Sequence, residues 1–136
     1  MEYGKMRAVA EELDAFAGQL EGAWSVEIGP SGPVLAMRRA PVRHQGTVRR
    51  IREQLDGQLP ATHPGHICAS GPQIECPAIG RMRRPDAVVL PEAALDEEGF
   101  AVDAAQVPAV IEVVPLHPYP GLGEKLADYP AISAAV

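Results

Sequence analysis

A chain of 136 residues is long enough for one domain with a substantial core and too short for two. Hydrophobic residues make up 46% of the chain, which indicates a globular protein, and the net charge at neutral pH is −6. No apolar run approaches the length of a membrane span, and the N-terminus has no signal pattern. We therefore expect a cytoplasmic protein without a membrane partner.

The charge is unevenly distributed along the chain. Residues 1–37 carry two basic and six acidic groups, residues 38–84 carry nine arginines and three acids, and residues 85–136 carry one lysine and nine acids. A basic middle followed by an acidic segment suits an enzyme that holds a polyanion beside a metal-binding carboxylate cluster. An arginine-rich helix face exposed to solvent gives the same pattern, and charge alone favours that simpler interpretation.

The first third of the chain predicts a helix followed by a hairpin. Apolar residues recur at helical spacing over residues 5–20, which predicts a helix closed by Glu21-Gly22. Residues 24–28 are typical of a strand, and the glycines and proline of residues 29–32 indicate a turn. A second strand from residue 33 to about residue 40 would complete the hairpin.

The middle of the chain predicts a second helix and then extended segments. Over residues 43–59 the apolar side chains fall on one helical face, and we expect Pro60 and Pro64 to end this helix. Residues 66–90 are typical of extended segments interrupted by Gly-Pro and Pro breaks.

The last third predicts an acidic loop, a strand and a short helix. The loop covers residues 96–103 and the strand residues 107–114. A turn rich in proline and glycine then leads into a helix near residues 121–129. The predicted order of elements is mixed α/β, with two acidic residues on the later strands.

Glu112 requires a specific explanation. Residues 109–114 form an almost continuous apolar run, which indicates a strand buried on both faces. A charge in such a strand is costly unless it is paired or binds an ion. One explanation is an ion pair with an arginine: Arg81, Arg83 or Arg84. The other is a metal ion shared with Asp86, which precedes a similar apolar run.

A lysine follows these acids in a helix-like segment. Two carboxylates and a lysine on neighbouring elements are what metal-dependent phosphodiester cleavage requires, and Lys125 is the candidate lysine. A lysine on a helix is also commonly just solvated. His44, at the start of the predicted second helix, is more typical of a cap or surface histidine than of a catalytic one.

Five segments occur in a characteristic order along the chain. They are Trp24-Ser25-Val26-Glu27-Ile28, His44-Gln45-Gly46-Thr47-Val48, Arg84-Pro85-Asp86-Ala87-Val88-Val89, Ile111-Glu112-Val113-Val114 and Glu124-Lys125-Leu126-Ala127-Asp128-Tyr129. This ordered set resembles the Uma family of restriction-endonuclease-like proteins, within the PD-(D/E)XK nuclease superfamily. The resemblance implies a restriction-endonuclease-like core with a central mixed β-sheet flanked by helices. It further implies one domain over residues 1–136, C-terminally shortened and lacking the last sheet strand of the family.

The same resemblance implies roles for individual residues. Asp86 and Glu112 would bind Mg²⁺ or Mn²⁺, together with the main-chain carbonyl of Val113, and Glu27 is a further candidate ligand. In the superfamily the lysine often follows the glutamate by two positions, where this chain has Val114, so Lys125 on the next helix is the catalytic candidate. Arginines would contact the nucleic-acid backbone: Arg43, Arg49, Arg50, Arg83 and Arg84.

We therefore expect a metal-dependent endonuclease that hydrolyses DNA phosphodiester bonds as a homodimer, without an organic cofactor. The alternative is a catalytically inactive, shortened relative that binds nucleic acid or protein. Three prolines within residues 115–120, where the family carries a polar turn, favour that alternative. Loss of the last sheet strand would expose a sheet edge to another chain.

Overall fold

A computed structural model describes residues 2–37 and 41–136. These residues form three α-helices: α1 (Tyr3–Ala17), α2 (Val42–Thr62) and α3 (Leu122–Ala135). They form eight strands: β1 (Trp24–Gly29), β2 (Gly32–Met37), β3 (His66–Ala69), β4 (Ile74–Cys76), β5 (Arg81–Arg83), β6 (Ala87–Pro91), β7 (Val102–Asp103) and β8 (Ala109–Ile111). None of the helices in this part of the chain has the length and apolarity needed to cross a membrane.

The strands of the described residues form two sheets. One has five strands in the order β2-β1-β5-β4-β7 and is mixed, because β7 runs parallel to β4 while the other pairs are antiparallel. The other is antiparallel, in the order β3-β6-β8. Helix α1 packs against the β1–β2 hairpin and α2 against β3. The predicted mixed α/β class is confirmed.

The predicted hairpin is present, and α1 covers one of its faces. Strands β1 and β2 pair antiparallel with Val26 opposite Leu35. Alternate side chains of β1 point to one face, where Val26 and Ile28 pack with Ala10 of α1 and Met82 of β5. Strand β2 ends at Met37, and residues 38–40, which the prediction included, lie outside the described residues.

The strand buried on both faces is β6 and not β8. Ala87 and Val89 of β6 pack into one apolar cluster, while Val88 and Leu90 pack into another. The prediction of a long, doubly buried strand over residues 107–114 is wrong, since β8 has only three residues, of which Ala109 is exposed and the other two are half-buried. The reason is position: β6 lies between β3 and β8, whereas β8 has a partner strand on one side only.

Two helices continue past a proline. We expected the second helix to end at Pro60, but α2 reaches Thr62, and α3 likewise continues past Pro130. A proline near a helix end, as Pro60 is in α2, removes only one hydrogen bond, and the next donors can still reach back. The amide of His63 does so, donating to the carbonyl of Leu59 at 2.7 Å.

Candidate functional site

Asp86 and Glu112 are brought together by the pairing of β6 with β8. Asp86 immediately precedes β6, and Glu112 immediately follows β8. The two strands are antiparallel with Ala87 opposite Ile111, so the next position of this register opposes Asp86 and Glu112. Both acids therefore lie at strand ends, and not within the strands as expected.

Asp86 is held by contacts on both carboxylate oxygens. Its Oδ1 lies 2.9 Å from Nε2 of His44 in the first turn of α2. Its Oδ2 accepts a 2.7 Å hydrogen bond from the amide of Val113. The hydroxyl of Ser70 donates to the main-chain carbonyl of Asp86 at 3.0 Å. The Asp86 carboxylate thus faces the residue next to Glu112 and is fixed in that orientation.

The ammonium group of Lys125 joins Glu112 to Glu27. Lys125 lies in the first turns of α3 and is only 2% exposed. Its Nζ lies 3.2 Å from Oε1 of Glu112 and 3.2 Å from Oε1 of Glu27. It also donates to the main-chain carbonyl of Arg84 at 2.9 Å. Three predicted site residues, Glu27, Glu112 and Lys125, are therefore in direct contact.

The ion pairs continue from Glu27 through β5 to α3. Arg83 Nη1 lies 3.6 Å from Glu27 Oε2, and Arg83 Nε donates to Asp128 Oδ2 at 2.7 Å. Arg81 Nε donates to the other oxygen of Asp128 at 3.0 Å. Together with Glu112 and Lys125, these residues form a network of three carboxylates and three cationic groups, so its formal charges balance. The carboxylates are those of Glu27, Glu112 and Asp128, and the cations are Arg81, Arg83 and Lys125.

Burial determines the electrostatics around Glu112. The side chain of Glu112 is 8% exposed, and this desolvation raises the pKa of its carboxyl group. Lys125 opposes the rise, while the negative charge of Asp86 adds to it, in keeping with the proximity of the two acids. The hydroxyl of Tyr129 donates to Glu112 Oε2 at 2.9 Å, and burial together with Glu112 raises the pKa of Tyr129 far above its usual range.

The donors available at this position are oxygens, which suit Mg²⁺. Asp86 and Glu112 would supply two carboxylates and Val113 a carbonyl, a set to which Mg²⁺ adds several waters. Each carboxylate oxygen has two lone pairs, and His44 and Val113 use one on each oxygen of Asp86. Within the described residues, no group of three or more His, Cys, Asp or Glu side chains is arranged to hold a metal ion.

The predicted nucleic-acid-binding arginines occupy different environments. Arg43, Arg49 and Arg50 are exposed on α2, where Arg49 pairs with Glu53 at 2.9 Å. Arg84 is half-buried beside the site. Arg83 is only 5% exposed within the ion-pair network, a position that does not suit contact with a phosphate backbone.

Three contact residues were not assigned to the site from the sequence. His44 contacts Asp86, Tyr129 contacts Glu112, and Asp128 contacts both Arg81 and Arg83. Helical spacing could have indicated two of them, because residues 125, 128 and 129 lie on the same face of α3. That face is the buried one, which also includes Leu122 and Ile132.

Comparison with known proteins gave no relative: no family model, no curated protein and no solved structure matches this chain.

Proposed function

We propose that this protein is a metal-dependent endonuclease that hydrolyses phosphodiester bonds in DNA. The observation that supports the proposal is the convergence of Asp86, Glu112 and Lys125 from three separate elements. The register of β6 and β8 aligns the two acids, and α3 brings the ammonium within 3.2 Å of Glu112. The proposal includes the restriction-endonuclease-like fold of the Uma family and a homodimer, in which each subunit cuts one strand.

The proposed chemistry assigns a separate task to each residue. Asp86, Glu112 and the carbonyl of Val113 would hold the ion, with Asp86 kept in place by His44. A bound Mg²⁺ supplies an activated water and polarises the scissile phosphate. Lys125 keeps a positive charge beside Glu112, which offsets the negative charge of the acids and of the phosphate. Exposed arginines of α2 attract the DNA backbone.

Cleavage of plasmid and linear DNA tests this proposal directly. We expect cutting in Mg²⁺ or Mn²⁺, none with chelator, and a loss of at least about 100-fold in Asp86→Asn and Glu112→Gln. Glu53→Gln is the matched control, since it removes an exposed carboxylate of α2 whose side chain is 63% exposed. Folded wild-type protein that cuts no DNA would refute the proposal, as would site variants that cut as well as the control.

A second candidate function is a non-catalytic module that binds nucleic acid. It is favoured by the ion-pair network, whose charges balance internally and whose lysine is 2% exposed. Such a module binds DNA in the presence of chelator without cutting it. Arg43→Ala and Arg50→Ala should then weaken binding at low salt and make its salt dependence less steep. Fluorescence anisotropy of labelled DNA measures both effects.

A further inference from the structure

The Lys125 ammonium lies among three oxygen atoms. Glu27 Oε1 and Glu112 Oε1 are each 3.2 Å away, and the carbonyl oxygen of Arg84 is 2.9 Å away. We call these three oxygens the ammonium cage. An ammonium has three N–H donors, so three oxygens are enough to satisfy it. The residue is also 2% exposed, which leaves little contact with water.

Glu27 faces positively polarised groups on both of its oxygens. Oε1 contacts Lys125 and also accepts a 2.7 Å hydrogen bond from the amide of Arg84. Oε2 lies 3.6 Å from Arg83, which is itself buried. The carboxylate of Glu27 is therefore already compensated by two cationic side chains and one amide.

A divalent ion and the ammonium cannot share the cage. Mg²⁺ binds oxygens at about 2.0–2.1 Å, so an ion held by Glu27 and Glu112 would occupy nearly the same place as Nζ of Lys125. Like charges at such short range repel strongly in a buried site. A metal ion held by Asp86 must therefore bind the Glu112 carboxylate at a position that the Lys125 ammonium does not occupy.

We propose that Lys125 is the resident cation of the ammonium cage, and that Glu27 is a positioning residue for Lys125 and not a metal ligand. Glu27 keeps the ammonium against Glu112, and Lys125 excludes divalent metal from this half of the acidic cluster. The part that Lys125 then plays in cleavage rests on the proposed function. The occupancy of the cage does not, and binding measurements test it separately.

The first test uses the wild-type protein and needs no activity. Lys125 and Lys5 are the only lysines, and Lys5 is exposed on α1, so lysine-selective ¹⁵N labelling gives two ammonium groups to compare by NMR. We expect a protected, slowly exchanging Lys125 signal that persists at saturating Mg²⁺, whereas the Lys5 signal exchanges rapidly with water. In Glu27→Gln, exchange at Lys125 should accelerate by at least about tenfold, which corresponds to the loss of about 1.4 kcal/mol of protection. Displacement of the Lys125 signal by Mg²⁺, or an unchanged signal in Glu27→Gln, would overturn the proposal.

The second test asks whether an empty cage binds metal. Lys125→Met should bind Mn²⁺ at least about tenfold more tightly than wild type, and the added substitution Glu27→Gln should abolish this gain. Lys5→Met is the matched control and should leave Mn²⁺ affinity unchanged. Equal affinities in Lys125→Met and wild type would contradict the proposal. If Lys125→Met does not fold, the NMR comparison on wild type and Glu27→Gln decides. DNA cleavage is not a readout in either experiment, so a protein that cuts nothing refutes the nuclease proposal alone.

Discussion

Replacing Asp128 by Ala should destabilise the protein strongly. Asp128 is 6% exposed and accepts hydrogen bonds from Arg81 and Arg83, at 3.0 and 2.7 Å. Its removal leaves the buried Arg83 guanidinium with Glu27 at 3.6 Å as its remaining carboxylate. Breaking a buried ion pair from one side costs about 3–5 kcal/mol, because the other charge stays buried without compensation. That is a large part of the total stability of a small domain, about 5–15 kcal/mol.

Urea unfolding followed by circular dichroism measures this cost. With a denaturant slope of about 2 kcal/mol/M, the midpoint should fall by about 2 M. The matched control is Glu53→Ala, which breaks the Arg49–Glu53 pair, whose side chains are 80% and 63% exposed. Exposed pairs contribute at most about 1 kcal/mol, so the control should unfold almost as wild type does.

A second substitution, at Arg83, separates the effect of lost contacts from the effect of an uncompensated buried charge. Adding Arg83→Met to Asp128→Ala removes the uncompensated guanidinium and should recover at least about 1 kcal/mol of the loss. If Asp128→Ala costs no more than the exposed control, or if the double variant is less stable than Asp128→Ala, the argument from burial is wrong.

Three further predictions concern titration and buried side chains. The raised pKa of Glu112 means that the folded state holds this proton more tightly than the unfolded state. The stability of the wild type should therefore decline relative to that of Glu112→Gln as the pH rises above the ordinary value of 4.5. A difference in unfolding free energy, measured with urea, that stays constant between about pH 4 and pH 7 would contradict this. Tyr129→Phe removes the 2.9 Å hydrogen bond to Glu112 and should cost about 1.5–3 kcal/mol in thermal unfolding, and a cost near zero would show that water replaces the phenol. Burial raises the pKa of the Cys68 thiol, which is 1% exposed, so this cysteine should react with a thiol reagent only after unfolding, and rapid labelling of native protein would refute its burial.

Local sequence patterns predicted the helices and the hairpin well because their causes are local. The apolar spacing of residues 5–20 and the turn at residues 29–32 correspond to α1 and the β1–β2 hairpin. Helix ends were less predictable, since a proline in the last turn removes one hydrogen bond without ending the helix. The burial of β8 was mispredicted because composition does not say which strand lies in the middle of a sheet.

The contacts of the candidate site were only partly accessible from the sequence. Glu112 attracted notice because a charge in an apolar run needs a partner, and it has two in Lys125 and Tyr129. Two of the three suggested arginine partners for Glu112, Arg81 and Arg83, pair with Asp128 instead. Nothing in the local sequence linked His44 to Asp86 or Glu27 to Lys125, because each pair joins distant elements.

The sequence by itself determined the mixed α/β class, the apolar strands and the acidic and basic residues that a site could use. These depend on periodicity and on the high cost of placing charges in apolar segments. Only the tertiary structure decided which charges meet. The β6–β8 register opposes Asp86 to Glu112, and the packing of α3 brings Lys125 between Glu112 and Glu27. Coulombic and hydrogen-bonding interactions act over a few ångströms in space, so they depend on how the elements pack and not on their order along the chain.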